Sequence, residues 1–340
     1  MAADRPPIAV LVDREGLGDV MLKTPFLRAL RRAFPDHDVW WIATHQSAMD
    51  ELRDLLAPAV AKVITHAALD GPTVALLRRL HALPAFDLVF DSRTKISTVA
   101  IARLGLKHRG FYCCLPGYVL CDGRPPAGRV RPRHIGERML SLVGCAIGAQ
   151  PDGSGRLEAS DEALALALQA LPDGPRYVGI APGSREARKN WPMARFCETA
   201  QALRAGGVTP VFFLGPMEQA TAAQIEAAAP GAIVLAGQGM AKRDLDLLIA
   251  QGHRLTLLLA NDNGVGHLLG AAGVPVVSLF GPTDPARWRP VTPQGHILRA
   301  ADFGSDDVSA IPVGAVVEAV MMMMMTRRLG AAQVPPAMKS

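Results

Sequence analysis

Three groups of residues in this 340-residue sequence have the types and spacing to do chemistry. The first is Gly16-Leu17-Gly18-Asp19, which follows the apolar run IAVLVD and precedes the basic helical pattern FLRALRRAF. An aspartate where a first strand turns into a first helix can cap that helix, support a dinucleotide or exchange a proton. The second is Pro182-Gly183-Ser184, followed by Arg185, Arg188 and Lys189 and by Trp191-Pro192, which opens a helix. Backbone N–H groups in a glycine turn, a serine hydroxyl and an ammonium make an anion cradle. Arg185 and Arg188 by themselves read as surface cations. The third runs from Asn261-Asp262-Asn263-Gly264 through a helix start near His267 and on to Gly281-Pro282-Thr283-Asp284-Pro285. Two neighbouring strand ends with exposed amides, a helix N-terminus and an acid suit a diphosphate bearing a sugar. Asp262 has a simpler reading as an N-cap. His267 either meets phosphate or merely starts the helix.

Other chemistries fit less well. Gly16-x-Gly18 is two-thirds of a dinucleotide fingerprint, but Met21 stands at the third glycine. The second strand runs into Ala43, Thr44 and His45, with no acid for a ribose. Asp244-x-Asp246 could hold a metal, yet the flanking Leu245, Leu247, Leu248 and Ile249 read as an amphipathic helix start with a cap and an exposed acid. The histidines lack ligand spacing and there is no G-x-S-x-G elbow, so a reaction without metal or cofactor is expected. Aromatics are 5% of the chain and form no platform among the basic residues, so nucleic acid is not the expected partner.

The elements that must position these groups alternate along the chain. Apolar runs of strand length fall at 8–13, 39–43, 62–65 and 87–91, and again at 177–181, 208–215, 232–237, 255–260 and 274–280. Helical patterns lie between them, which predicts parallel α/β architecture. Leu22, Phe26, Ala29, Leu30 and Ala33 share one helical face, and Thr24-Pro25 resembles an N-cap and first helical position. Whether that helix starts there or at Asp19 stays open. Arg124–Arg133 reads as a loop, and a domain boundary is expected within 151–175. The segment AIPVGAVVEAVMMMMM contains Pro312 and Glu318 and is shorter than the ~20 residues of a membrane span. It predicts a buried C-terminal helix with Met321–Met325 as adaptable filler.

Five cysteines without C-x-x-C spacing predict neither disulfides nor zinc and suit a reducing cytoplasm. Asp4, Arg5, Pro6 and Pro7 stand where a secretory signal would be. The net charge of +5 is uneven, with +6 in residues 1–150 and −1 in the remainder. The basic first half would attract an anionic partner.

Taken in order, GLGDVMLKTPFLRAL, PGSREARKNWP, LGPMEQ, NDNGVGH and FGPTDPARW resemble the heptosyltransferase-type glycosyltransferases of family 9 over nearly the whole chain. The resemblance implies a GT-B fold, two Rossmann-like domains with mainly parallel sheets facing a central cleft. An acceptor domain would span 1–165, a nucleotide-sugar domain 166–330, and a tail 331–340. It implies an inverting reaction without metal, moving a sugar, expected to be heptose from ADP-heptose, to a lipopolysaccharide inner-core or related anionic glycolipid. Another nucleotide sugar or acceptor, or a non-catalytic nucleotide-sugar binder, is the alternative. By the same resemblance Asp19 is the catalytic base, Lys189 contacts phosphate and Glu218 lies near the ribose. Asp262, Gly264 and His267 match the family's sugar-nucleotide loop, with Asn263 in place of the usual Ser or Thr and Val265 in place of Pro or Leu. Ser184, Gly281 and Thr283 complete the donor side. Gly18, Arg93 and Lys95 form the acceptor side, where Ser-Arg-Thr-Lys after Asp91 replaces a common Gln-Gly. Peripheral association with the inner face of the cytoplasmic membrane would follow from the acceptor.

Overall fold

The computed structural model of the protein describes residues 6–56, 59–71, 73–126, 130–237 and 239–332, with side chains as far as Thr326. The expected tail, 331–340, lies from residue 333 onward outside the described residues. The chain forms two compact units, Met1–Gly155 and Arg156–Ser340.

In the first unit β1 (Ile8–Val12), β2 (Val39–Ala43), β3 (Lys62–Ile64), β4 (Phe86–Asp91) and β5 (His108–Cys113) form one sheet in the order β3-β2-β1-β4-β5. Every pairing is parallel, with Val10 opposite Trp41 on one side and Phe90 on the other. A central parallel strand is covered on both faces, and this explains why β1 is an unbroken, wholly buried IAVLV. β5 was not among the expected strands. Its sequence HRGFYC opens with two polar residues at a sheet edge, so it lacks the apolar run that marked the others. After β1 the chain makes a short helix, Leu17–Met21, and then a second, Thr24–Ala33, with Lys23 as its N-cap residue. The open question about the helix start is thereby answered: there are two helices.

In the second unit β6 (Tyr177–Ala181), β7 (Thr209–Leu214), β8 (Ile233–Ala236), β9 (Leu255–Asn261), β10 (Val276–Phe280) and β11 (Gly295–Arg299) lie in the order β11-β10-β9-β6-β7-β8, all parallel. β11, GHILR, is a half-buried edge strand that the sequence pattern did not mark. The order reverses between β6 and β9. In open α/β sheets ligands bind beyond the strand ends at such a switch point.

The division after Gly155 precedes the expected 165/166, which falls inside the helix Asp161–Ala170. That helix is bound into the second unit. Leu157 N donates to Ala271 O at 2.9 Å, and Asp246 accepts from the N-cap Ser160 through N at 3.0 Å and Oγ at 2.6 Å. Asp246 is thus an anchor for the neighbouring helix rather than a simply exposed acid. The C-terminal helix Val313–Ala332 packs Val316, Ala319, Val320, Met323 and Met324 into the core, while Met322 and Met325 are exposed. The methionine run is therefore core filler on one face only, because a helix turns its successive residues through 100°. Among the described residues no helix is long and apolar enough to cross a membrane.

Candidate functional site

β9 delivers Asn261 and Asp262 to the switch point of the second unit, and Asn263 turns the chain into the helix Gly264–Ala271. The expected helix start near His267 lies three residues late, because Asn263 is the N-cap and its side chain accepts from Gly266 N. Asp262 is consequently not the cap. Its carboxylate is buried and holds a cluster together. Lys189 Nζ donates to Oδ2 at 3.0 Å and Thr283 Oγ1 to the same atom at 2.8 Å, while His267 Nε2 lies 3.5 Å from Oδ1. Burial by itself would raise the Asp262 carboxyl. His267, Lys189 and Thr283 outweigh burial and lower it to about 2.

Lys189 also lies 3.2 Å from Glu186 Oε1. Burial pulls its ammonium down, but the neighbouring carboxylates of Asp262 and Glu186 raise it above the ordinary lysine value. An ammonium has three N–H groups, and these two carboxylates leave one for a ligand. The first turn of Gly264–Ala271 adds the amides of Gly264 and Val265, which have no intrahelical acceptor. His267 Nδ1 and Asn190 Oδ1 are buried without a hydrogen-bond partner among the described residues. Ser184 Oγ is 3.4 Å from Glu186 N, on the loop leaving β6. Glu218, beyond β7, lies against Gly183 and Gly215. A Cβ built on Gly183 would stand 2.4 Å from Glu218 Cδ, so any side chain there would displace the carboxylate. Gly281, after β10, is packed against Val308 in the same way, with a Cβ 3.1 Å from it. The structure therefore gathers Lys189, Asp262, His267 and Thr283 into direct contact and places Ser184, Glu218, Gly264 and Gly281 at strand ends of the same sheet.

Asp19 belongs to the first unit, at the third position of the helix Leu17–Met21. Its Oδ2 accepts from Gly16 N at 2.8 Å, and Oδ1 has no hydrogen-bond partner among the described residues. Gly18 is half-buried in the same turn. Beneath them lies a buried polar group that the sequence reading missed. Lys23 Nζ donates to Glu15 Oε1 and, at 3.2 Å, to Asp19 O. Glu15 Oε2 in turn accepts from Trp41 Nε1 at 2.9 Å and Ser47 Oγ at 3.1 Å. Its only signal in sequence is a Glu and a Lys at either end of Gly-Leu-Gly-Asp-Val-Met-Leu.

Arg93 does not lie as an acceptor contact would. It is buried, with Nε 2.8 Å from Asp91 Oδ1, Nη2 2.7 Å from Asp91 Oδ2, and Nη1 donating to Leu69 O at 3.0 Å. The guanidinium is spent on a wholly buried carboxylate, whose desolvation demands such a partner. Lys95, by contrast, is exposed at the N-terminus of the helix Ile96–Gly105.

Comparison with known proteins gives this geometry a context. Lipopolysaccharide heptosyltransferase 1 of Pseudomonas aeruginosa is 28% identical over 301 residues, 81% of this chain and 79% of that protein. Lipopolysaccharide heptosyltransferase 3 of Escherichia coli is 34% identical over 121 residues, so the match spans 34% of this chain and about a third, 34%, of that relative. Among solved structures, E. coli ADP-heptose lps heptosyltransferase II aligns with a TM-score of 0.65 at 18% identity, over 94% of this chain and 99% of that one. That likeness is one of fold, two Rossmann-like units of parallel strands in the GT-B class. The profile of glycosyltransferase family 9 (heptosyltransferase) matches residues 73–309, from the helix that precedes β4 in the first unit through the whole Asp262 site. With a match over more than half of its length, the chain belongs to glycosyltransferase family 9, the heptosyltransferase family.

Proposed function

We propose that this glycosyltransferase moves heptose from ADP-heptose to a lipopolysaccharide inner-core or related anionic glycolipid, with inversion and without a metal ion. The observation that carries the reading is the Lys189–Asp262–Thr283–His267 cluster at the switch point of the second unit, beside a helix N-terminus. The names of the P. aeruginosa and E. coli relatives support the sugar, the nucleotide and the lipopolysaccharide acceptor.

An acceptor hydroxyl attacks the anomeric carbon from the face opposite the diphosphate. The new C–O bond forms as the bond to the diphosphate breaks, its electron pair leaves with the diphosphate, and in-line attack inverts the centre. Asp19 takes the hydroxyl proton. Its Oδ2 is held by Gly16 N, and Oδ1, with no hydrogen-bond partner among the described residues, would receive the proton. A general base of this kind contributes about 10²–10⁴ in rate. Lys189 and the amides of Gly264, Val265, Gly281 and Thr283 meet the charge developing on the leaving diphosphate, the role a metal plays elsewhere. Glu218, half-buried and without a side-chain hydrogen bond among the described residues, suits the ribose hydroxyls. On the first unit Gly18 and exposed Lys95 suit the acceptor, and the surplus of +6 over residues 1–150 suits peripheral attachment to an anionic membrane surface.

The test is transfer itself. Purified protein with ADP-heptose and a heptose-deficient inner-core glycolipid should yield ADP and a glycolipid one heptose heavier. Turnover or thermal stabilisation only with GDP-, UDP- or CDP-sugars would overturn the donor assignment. Lys189→Ala should weaken ADP-heptose binding by about tenfold or more and lower kcat, since it removes a charge-assisted contact. Unchanged kinetics would take Lys189 out of the site.

A further inference from the structure

Asp262 is flanked by two asparagines, Asn261 and Asn263, which are 1% and 9% exposed. A primary amide offers two N–H donors and a carbonyl acceptor. Asn263 uses all three. Oδ1 accepts from Gly266 N at 2.8 Å, and Nδ2 donates to Ala181 O at 2.9 Å and to Gly183 O at 2.6 Å. Asn261 Nδ2 donates to Pro182 O at 2.5 Å, and its Oδ1 accepts from Trp191 N at 3.2 Å. Ala181 closes β6, Pro182 and Gly183 begin the loop that carries Ser184 and Lys189, and Trp191 ends it. The two amides therefore grip this loop at both ends, and Asp262, between them in sequence, receives Lys189 from within it.

We infer that Asn261 and Asn263 are positioning residues: they fix the 181–191 loop against the end of β9 so that Lys189 and Ser184 are presented to the diphosphate, and they touch no ligand atom themselves. The inference rests on the donor-site reading proposed above. It also replaces the expectation that Asn263 contacts the donor, because both of its N–H groups and its oxygen are engaged by the protein's own backbone. The cap alone does not call for asparagine. Serine and aspartate accept from a first-turn amide equally well. Neither can donate to two carbonyls, and aspartate would set its charge against the oxygens of Ala181 and Gly183.

Substitution at 263 therefore separates the cap from the grip. In the full chain, Asn263→Ser and Asn263→Asp should keep the helix Gly264–Ala271, seen as slow amide exchange at 267–271. Amide exchange at 184–190 should accelerate at least tenfold in both, without any ligand added. The Kd for ADP and the KM for ADP-heptose should rise about tenfold in Asn263→Ser, the loss of one buried hydrogen bond, and further in Asn263→Asp. At saturating donor kcat should stay within about threefold of the parent, a KM-against-kcat split that a simple loss of folded protein would not give. Asn261→Ser provides a second variant should Asn263→Asp fail to fold, with the same expected directions. Parental exchange at 184–190 together with parental ADP affinity would overturn the inference and leave Asn263 as a cap. If Lys189→Ala weakens donor binding while the asparagine variants do not, the inference alone falls. If Lys189→Ala binds donor normally, the donor-site reading falls and takes this one with it.

Discussion

Asp19 and Asp262 each follow a central strand of their own sheet, β1 in the first unit and β9 in the second. Their surroundings are opposite in kind. Asp19 is half-buried and tethered by one amide, with its second oxygen open among the described residues. Asp262 is buried, both of its oxygens face partners, and its carboxyl sits at about 2. Groups that stabilise the ionised form of a carboxylate also make it a poor proton acceptor. A saturated carboxylate is therefore a strut, whereas one with a free oxygen can exchange a proton. The first unit has a strut of its own in Asp91, which takes up three donors of Arg93.

The comparison is broken most directly at Asp19. Asn at this position keeps the size and removes the base, so kcat should fall by about 10²–10⁴ while donor affinity stays within twofold. Steady-state kinetics beside donor calorimetry would check this, and a parental kcat would reduce Asp19 to the helix tether. Arg93→Met tests the strut of the first unit. Stranding the Asp91 charge inside the fold should cost about 3–5 kcal/mol of stability in urea unfolding. A parental melting temperature combined with a raised KM for acceptor would return Arg93 to the acceptor side.

Asp262→Asn should cost less, about 2 kcal/mol at neutral pH, from a carboxyl lowered from 3.8 to about 2. Because the folded value is depressed, this stabilisation is present above the ordinary aspartate value and lost as pH falls through the folded one. The stability gap between the parent and Asp262→Asn should hold steady from pH 7 to pH 5 and begin to narrow below about pH 4. A gap that does not change down to pH 3 would mean that the cluster around Asp262 does not stabilise its charge.

Much of this arrangement is legible in the letters. The apolar runs at β1, β2, β4, β6, β7, β9 and β10 announce themselves because parallel strands covered on both faces must be continuously apolar. β5 and β11 escape notice because HRGFYC and GHILR break their apolar residues with polar ones, whereas the edge strands β3 and β8 are marked by the runs at 62–65 and 232–237. Lys189, Asp262, His267 and Thr283 stand out as the right residue types beside glycine turns. Their roles are harder to read. Asp262 looks like an N-cap until the structure gives that place to Asn263, and Arg93 looks like an acceptor contact until Asp91 takes it. The Glu15–Lys23 pair gives only a faint signal, since one charge near another along a chain is usually solvated.

By itself, then, the amino-acid order settled the α/β alternation, the parallel sheets and the cast of chemically able residues, all of which follow from local periodicity and turn chemistry. Partnership was decided only on folding. Lys189 meets Asp262 across 73 residues of chain, and Asn263 reaches Gly183 across 80, because the switch point of the sheet brings the ends of β6 and β9 side by side. Hydrogen bonds and ion pairs act over a few ångströms of space, and no pattern along the sequence encodes which distant strand end will supply the other half.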